Sequence, residues 1–186
     1  MKLPVMIACC LLCAFTAPAA WADNECQITL SSPDVSFGQL KQSDIVSSQQ
    51  GWNQMPSRDM SINVYCQESQ NMALFVQAAA GEKGRFYFGD SSGLAVRVSK
   101  MIVDGKNYAI ARTVDRVNFT PDGDTRESLL LRNNNGIIAI DNNQPVSGKQ
   151  MNVTLTLTPV LNDQRFTHTS DTTSLESNMM WEVLTK

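Results

Sequence analysis

An all-β sandwich is the fold class this sequence predicts, on three observations. Stretches of period-two alternation recur, the cleanest being Met151, Val153, Leu155 and Leu157 on one face with Asn152, Thr154, Thr156 and Thr158 on the other; such alternation marks half-buried strands. Turn signals separate these stretches at short intervals, among them Asp104-Gly105 and Asn133-Asn134-Asn135-Gly136. No run of about eleven residues or more carries a helical apolar stripe. Roughly eight to ten short strands with turns every 8–12 residues describe a β-sandwich.

The chain opens with Lys2, an apolar run from Leu3 to Thr16, and small residues ending Ala20-Trp21-Ala22. A positive start, a short apolar centre and an A-x-A site describe a secretory signal peptide, so residues 1–22 are expected to be removed and 23–186 to form one domain. No later stretch is long and apolar enough to span a bilayer. Three of the five cysteines, Cys9, Cys10 and Cys13, leave with the signal. Removing Lys2 leaves 14 basic and 18 acidic residues, a net charge of −4. With no polybasic run, nucleic acid and anionic membranes are not expected partners.

The mature chain keeps Cys26 and Cys66. Cys26, Ile28 and Leu30 share one face of the first strand, and Met60, Ile62, Val64 and Cys66 share one face of the second, so both thiols point into one core. In an oxidising compartment they are expected to pair; two buried free thiols are the alternative. Closing a loop of about 40 residues contributes on the order of 4 kcal/mol in the chain-entropy model.

Between them, Pro33 interrupts the pattern and Val35-Ser36-Phe37 resumes it, as an edge strand changing partner does. Residues 41–58, polar with Gly51 and Pro56, read as a long surface loop. Trp52 inside it is expected as a lid over the core. Further strands are expected at Met72–Val76, Arg85–Phe88 and Leu94–Val103, with Tyr108–Ile110 returning after the Asp104-Gly105 hairpin. Leu129–Leu131 and Ile137–Ile140 are expected to form a pair around the asparagine turn. Met179, Trp181, Val183 and Thr185 alternate in the final strand.

Catalytic and metal chemistry find little support. The single histidine, His168, lies in a polar stretch with nothing to position a nucleophile beside it. Asp122-Gly123-Asp124 and Asp141-Asn142-Asn143 are oxygen-rich but lack the ligand count of a calcium loop, and turn chemistry explains them better. No phosphate-binding glycine loop follows a strand. No enzyme, metal or cofactor is expected.

The stretches CQITLSSPDVSFGQL, INVYC and SNMMWEVLTK together resemble the subunits of chaperone–usher pili, and look closest to fimbrial-like proteins of enterobacteria without an assigned role. The resemblance covers most of the mature chain. It implies a pilin-like, immunoglobulin-like sandwich lacking its last strand, with Met179, Trp181, Val183 and Thr185 in an assembly strand. The groove so left is filled by a periplasmic pilus chaperone, delivered to an outer-membrane usher, then filled by the arm of a neighbouring pilus subunit. It also implies passage through the periplasm to a fimbrium on the cell surface, in cell adhesion, with a host receptor as a further partner. This sequence departs from the family at two places. Leu184-Thr185-Lys186 lacks the family's penultimate tyrosine, and only Asp23-Asn24-Glu25 separate Ala22 from Cys26 where pilins carry an apolar arm. Three extended residues span about 10 Å at most, so the expectation is a subunit that accepts a strand without donating one, at a fibre tip. The alternative reading is a free-standing periplasmic or secreted β-sandwich that binds a small ligand or protein. Trp52 and Tyr87 are then available to stack on a sugar, or to pack in the core.

Overall fold

The computed structural model describes residues 26–89, 92–166 and 173–186. The expected signal (1–22), Asp23–Glu25 and His168 lie outside them. Fourteen strands are described: β1 Gln27–Leu30, β2 Ser47–Gln49, β3 Trp52–Gln54, β4 Arg58–Ala78, β5 Phe86–Tyr87, β6 Gly93–Val103 and β7 Lys106–Asn107, then β8 Ala109–Thr113, β9 Asp122–Arg126, β10 Leu129–Leu130, β11 Gly136–Asp141, β12 Gln144–Pro145, β13 Ser147–Asn162 and β14 Met179–Thr185. The chain is all-β, its strands paired antiparallel in a sandwich of two sheets.

One sheet runs β1–β4–β13–β6–β10 and the other β14–β4–β11–β8–β9. β4 belongs to both. Its first half pairs with β1 and β13, and its second half pairs with β14 and β11. The two separate strands expected over 60–66 and 72–76 are therefore one strand of 21 residues. Polar residues from Gln67 to Asn71 carry it between the sheets. Its burial changes with the crossing, from alternating over Met60–Cys66 to continuous over Met72–Val76. In the second sheet both faces are covered, so neither side of the strand reaches water.

Four other expectations change. Tyr108–Ile110 does not return along β6. Two residues of β7 make that hairpin, with Asp104 and Gly105 left-handed at its turn (φ 46° and 82°), and β8 then joins β11 in the other sheet. Likewise β10 pairs with β6 while β11 pairs with β4 and β8, so the asparagine turn links two sheets and not a hairpin. Residues 41–58 contain the β2–β3 hairpin, which turns on Gln50 and Gly51 (φ 51° and 78°) and pairs with the end of β13. Two left-handed turn residues match the twist of flanking strands, and a polar hairpin of this kind carries little apolar signal. Val35–Phe37 forms no strand at all.

β13 keeps its expected inward face: Met151, Val153, Leu155 and Leu157 are buried. Thr158, expected outward, is also buried, its hydroxyl 2.7 Å from that of Ser57. These β13 side chains meet Val96 and Val98 of β6, Leu74 and Val76 of β4 and Ile137 of β11 in one core. Asp141-Asn142-Asn143 is a hairpin turn, Asn142 and Asn143 both left-handed, whereas Asp122-Gly123-Asp124 lies in the exposed strand β9.

A second, smaller cluster occupies the outer face of the β14 sheet, where Ala73, Phe75, Ala111, Phe119, Ile138 and Ile140 are buried with Leu184 against them. The loop 114–121 folds over it. Asp115 organises that loop, its carboxylate accepting from the backbone N–H groups of Val117, Asn118 and Thr120 and from the Thr120 hydroxyl. These bonds hold its carboxyl far below the usual carboxylate range. Because the folded value lies below the unfolded one, near 3.9, the contribution is present above that value and is lost as pH falls below it. Asp115→Ala should therefore lower stability at pH 7, and urea titrations should find that deficit shrinking as pH falls from about 5 towards 2.

Cys26 and Cys66 are joined, with their Cα atoms 4.3 Å apart, tying the start of β1 to the middle of β4. Denaturing the unreduced protein made without residues 1–22 should expose no thiol to alkylation. Replacing both cysteines with alanine should lower the unfolding free energy by about 2–5 kcal/mol; two reactive thiols per chain would show the bond is not formed.

Candidate functional site: an open groove between two edges

The sandwich is open along one side. There a groove of about 1470 Å³ runs between residues 33–42, which follow β1, and residues 173–181, which lead into β14. Its floor is the core itself. Met60 of β4, Leu94 of β6, and Leu157 and Leu161 of β13 line it, and each is otherwise almost fully buried.

Both walls present apolar side chains and unpaired backbone. On one, Val35, Phe37 and Leu40 turn inward against the core while Ser36, Gly38 and Gln39 are exposed. Phe37 meets Phe88 edge to face, with ring centroids 5.9 Å apart. Val35–Gly38 has the period-two pattern of a strand, yet among the described residues no backbone hydrogen bond joins residues 33–40 to another strand. On the other wall, β14 pairs with β4 alone, from Met179 opposite Ala78 to Thr185 opposite Met72. Its far edge has no partner among the described residues. Unpaired N–H and C=O groups beside apolar surface form a template for a further strand.

The residues expected in the assembly strand are brought together. Met179, Trp181 and Val183 all pack against the main core, and Met179 and Trp181 also line the groove. Thr185 completes the ladder against Met72 without joining the core cluster. The opposite face of β14 is held separately: Glu182 pairs with Arg116, which stacks 4.5 Å over Phe75, and the Lys186 ammonium donates to Asn118 Oδ1 at 2.6 Å. The outer face of β14 is thus anchored while its free edge is left open.

Val35-Ser36-Phe37 was legible as alternation, but Leu40 and the segment's lack of a partner were not. Charges are confined to the rim, where Asp34, Lys41 and Glu176 are exposed. Among the described residues no three His, Cys, Asp or Glu side chains converge as metal ligands would. Trp52 is buried, as a lid would be, but lies outside the core clusters, beneath Lys83 and Arg85; Tyr87 is exposed. What the groove offers is apolar surface flanked by backbone donors and acceptors.

Trp181→Asp places a charge against the core with no partner and should lower stability by about 2 kcal/mol or more in urea unfolding. Met180→Asp, on the exposed face of the same strand, should change it by less than about 0.5 kcal/mol. Equal effects would mean that Trp181 is an ordinary surface residue.

No family model matches the sequence, and no curated protein matches it. Among solved structures, the P pilus rod subunit PapA is similar in fold, with 12% identity over 92% of this chain and 97% of that one and a TM-score of 0.45.

Proposed function

We propose that this chain is a pilus subunit completed by a strand from another protein. One observation carries the reading: the free edge of β14 and the unpaired segment 33–40, with Val35, Phe37 and Leu40 inward, face each other across a groove floored by core residues. A strand laid between them would pair its backbone with β14 and bury every second side chain on Met60, Leu94 and Leu157. This is β-augmentation, in which main-chain bonds provide affinity and pockets for alternate side chains provide selectivity. The seven residues of β14 set a length of about 23 Å at roughly 3.3 Å per residue.

In that scheme a periplasmic chaperone supplies the strand first, an outer-membrane usher receives the complex, and a neighbouring subunit then replaces the chaperone. The chain is exported, passes through the periplasm and ends in a fimbrium at the cell surface, serving adhesion. The three polar residues between the expected cleavage site and Cys26 support a tip or minor position, because they hold no apolar side chain to fill a groove of this size.

The test is a synthetic peptide of alternating large apolar and polar residues, long enough to run beside β14, against the same peptide with a central proline. The alternating peptide should raise the thermal midpoint and protect the free-edge amides of Trp181, Val183 and Thr185 from exchange, since those of Met180, Glu182 and Leu184 already face β4; the proline peptide should do neither. A protein indifferent to both peptides, monomeric and stable alone, is a complete sandwich of the free-standing binding kind. Self-assembly of the mature protein into fibres would overturn the tip position and leave the strand-acceptor reading intact.

A further inference from the structure

At a site none of whose residues line the groove, the turn Glu82–Gly84 brings cationic side chains together over one aromatic ring. Lys83, held left-handed at φ 54°, places its ammonium 5.4 Å from the centroid of the Trp52 ring, and the Arg85 guanidinium carbon lies 4.4 Å from it. Arg132 borders the same turn: a Cβ on Gly84 would stand 3.4 Å from its Nε. Among the described residues none of these three cations joins an ion pair, since the described pairs are Lys106–Asp141, Arg116–Glu182 and Lys149–Glu68. Glu82 acts on Arg85 through its field without bonding to it. Asp163, beside the β2–β3 turn, accepts from Asn53 Nδ2 at 2.5 Å.

Arg85 is held in place from below. Its stem crosses the bare backbone of Gly93, where an added Cβ would stand 2.8 Å from the Arg85 Cδ. Its Nη1 is buried with no hydrogen-bond acceptor. A buried donor without an acceptor is costly and uncommon in folded proteins, more so on a charged group, and burial already holds this guanidinium below its ordinary pKa. Nη1 is closed to solvent, so the edge that can grip a carboxylate, sulfate or phosphate with two parallel bonds is the one formed by Nε–H and Nη2.

We propose that Arg85, Lys83 and Arg132, arranged around Trp52, form a binding site for the oxyanion group of an acidic ligand. Arg85 supplies the forked contact, and Lys83 and Arg132 supply charge from either side. The acidic net charge of the chain, −3, makes this local cluster of unpaired cations the more distinct. The site does not depend on the groove being filled, so its failure and that of the strand-acceptor reading are separable.

The experiment titrates the full chain with sulfate, phosphate and acetate in separate arms, holding ionic strength constant with chloride so that screening is common to all. The backbone amides of Glu82–Arg85 and the Arg85 Nε–H are followed by NMR. Saturable shifts at these groups are expected, and the arm with the tightest curve identifies the oxyanion. Arg85→Gln should weaken binding about tenfold or more, the loss of a charge-assisted pair of bonds. Arg85→Lys, which keeps charge but loses the fork, should also weaken it. Lys83→Gln, at an exposed position, should weaken it less and without disturbing the fold. Shifts no larger than those of chloride in every arm would overturn the proposal, as would unchanged affinity in both Arg85→Gln and Lys83→Gln.

Discussion

A single strand that must satisfy two sheets is the constraint on which this structure depends. Over its 21 residues β4 hydrogen-bonds to β1 and β13 in one sheet and to β14 and β11 in the other. Its inward side chains, from Ile62 and Val64 to Leu74 and Val76, run the length of the core. Cys66 sits at the crossing, and its bond to Cys26 ties the short strand β1 to β4 where four ladder residues alone would hold weakly. Loosening that point would release both the first edge of the sandwich and the wall that follows it.

The groove is the consequence of how the remaining strands are distributed. β13 and β6 fill one sheet with long, continuous ladders, and β11 and β8 fill the other. Among the described residues nothing pairs between β14 and the segment after β1, so core residues such as Met60 and Leu157 lie at the bottom of an open cleft. Water there leaves apolar surface exposed at roughly 25 cal/mol per Å², and the backbone of β14 is left to bond solvent. A further strand would remove both costs at once. In the strand-acceptor reading we propose, the same opening weakens the isolated domain and drives association.

β14 is prepared for such a role by what lies behind it. The loop ordered by Asp115 covers Phe75 and Ile138, and its Arg116 and Asn118 hold Glu182 and Lys186. With one edge paired to β4 and its outer face anchored, the strand keeps its extended shape although its other edge is open. A strand free on every side would lose that shape to chain entropy.

Much of the fold was legible in the residues because side-chain alternation is a local property. The inward faces of β13, of β1 and of β14, the pairing of Cys26 with Cys66, and the turns at Asp104-Gly105 and Asn142-Asn143 all follow from spacing and from residues that tolerate a left-handed backbone. Partner choice is not local, and there the reading failed. Tyr108–Ile110 and Leu129–Leu131 alternate just as hairpin strands do, but their neighbours are set by which sheet has an edge to fill. The β2–β3 hairpin was hidden because polar residues paired at a sandwich end bury too little apolar area to leave a pattern. Met179, Trp181 and Val183 declared an inward face in the sequence. Only the tertiary structure decided that Val35, Phe37 and Leu40 would oppose them without a strand between, because an unpaired edge is an absence of partners, and no residue encodes an absence by itself.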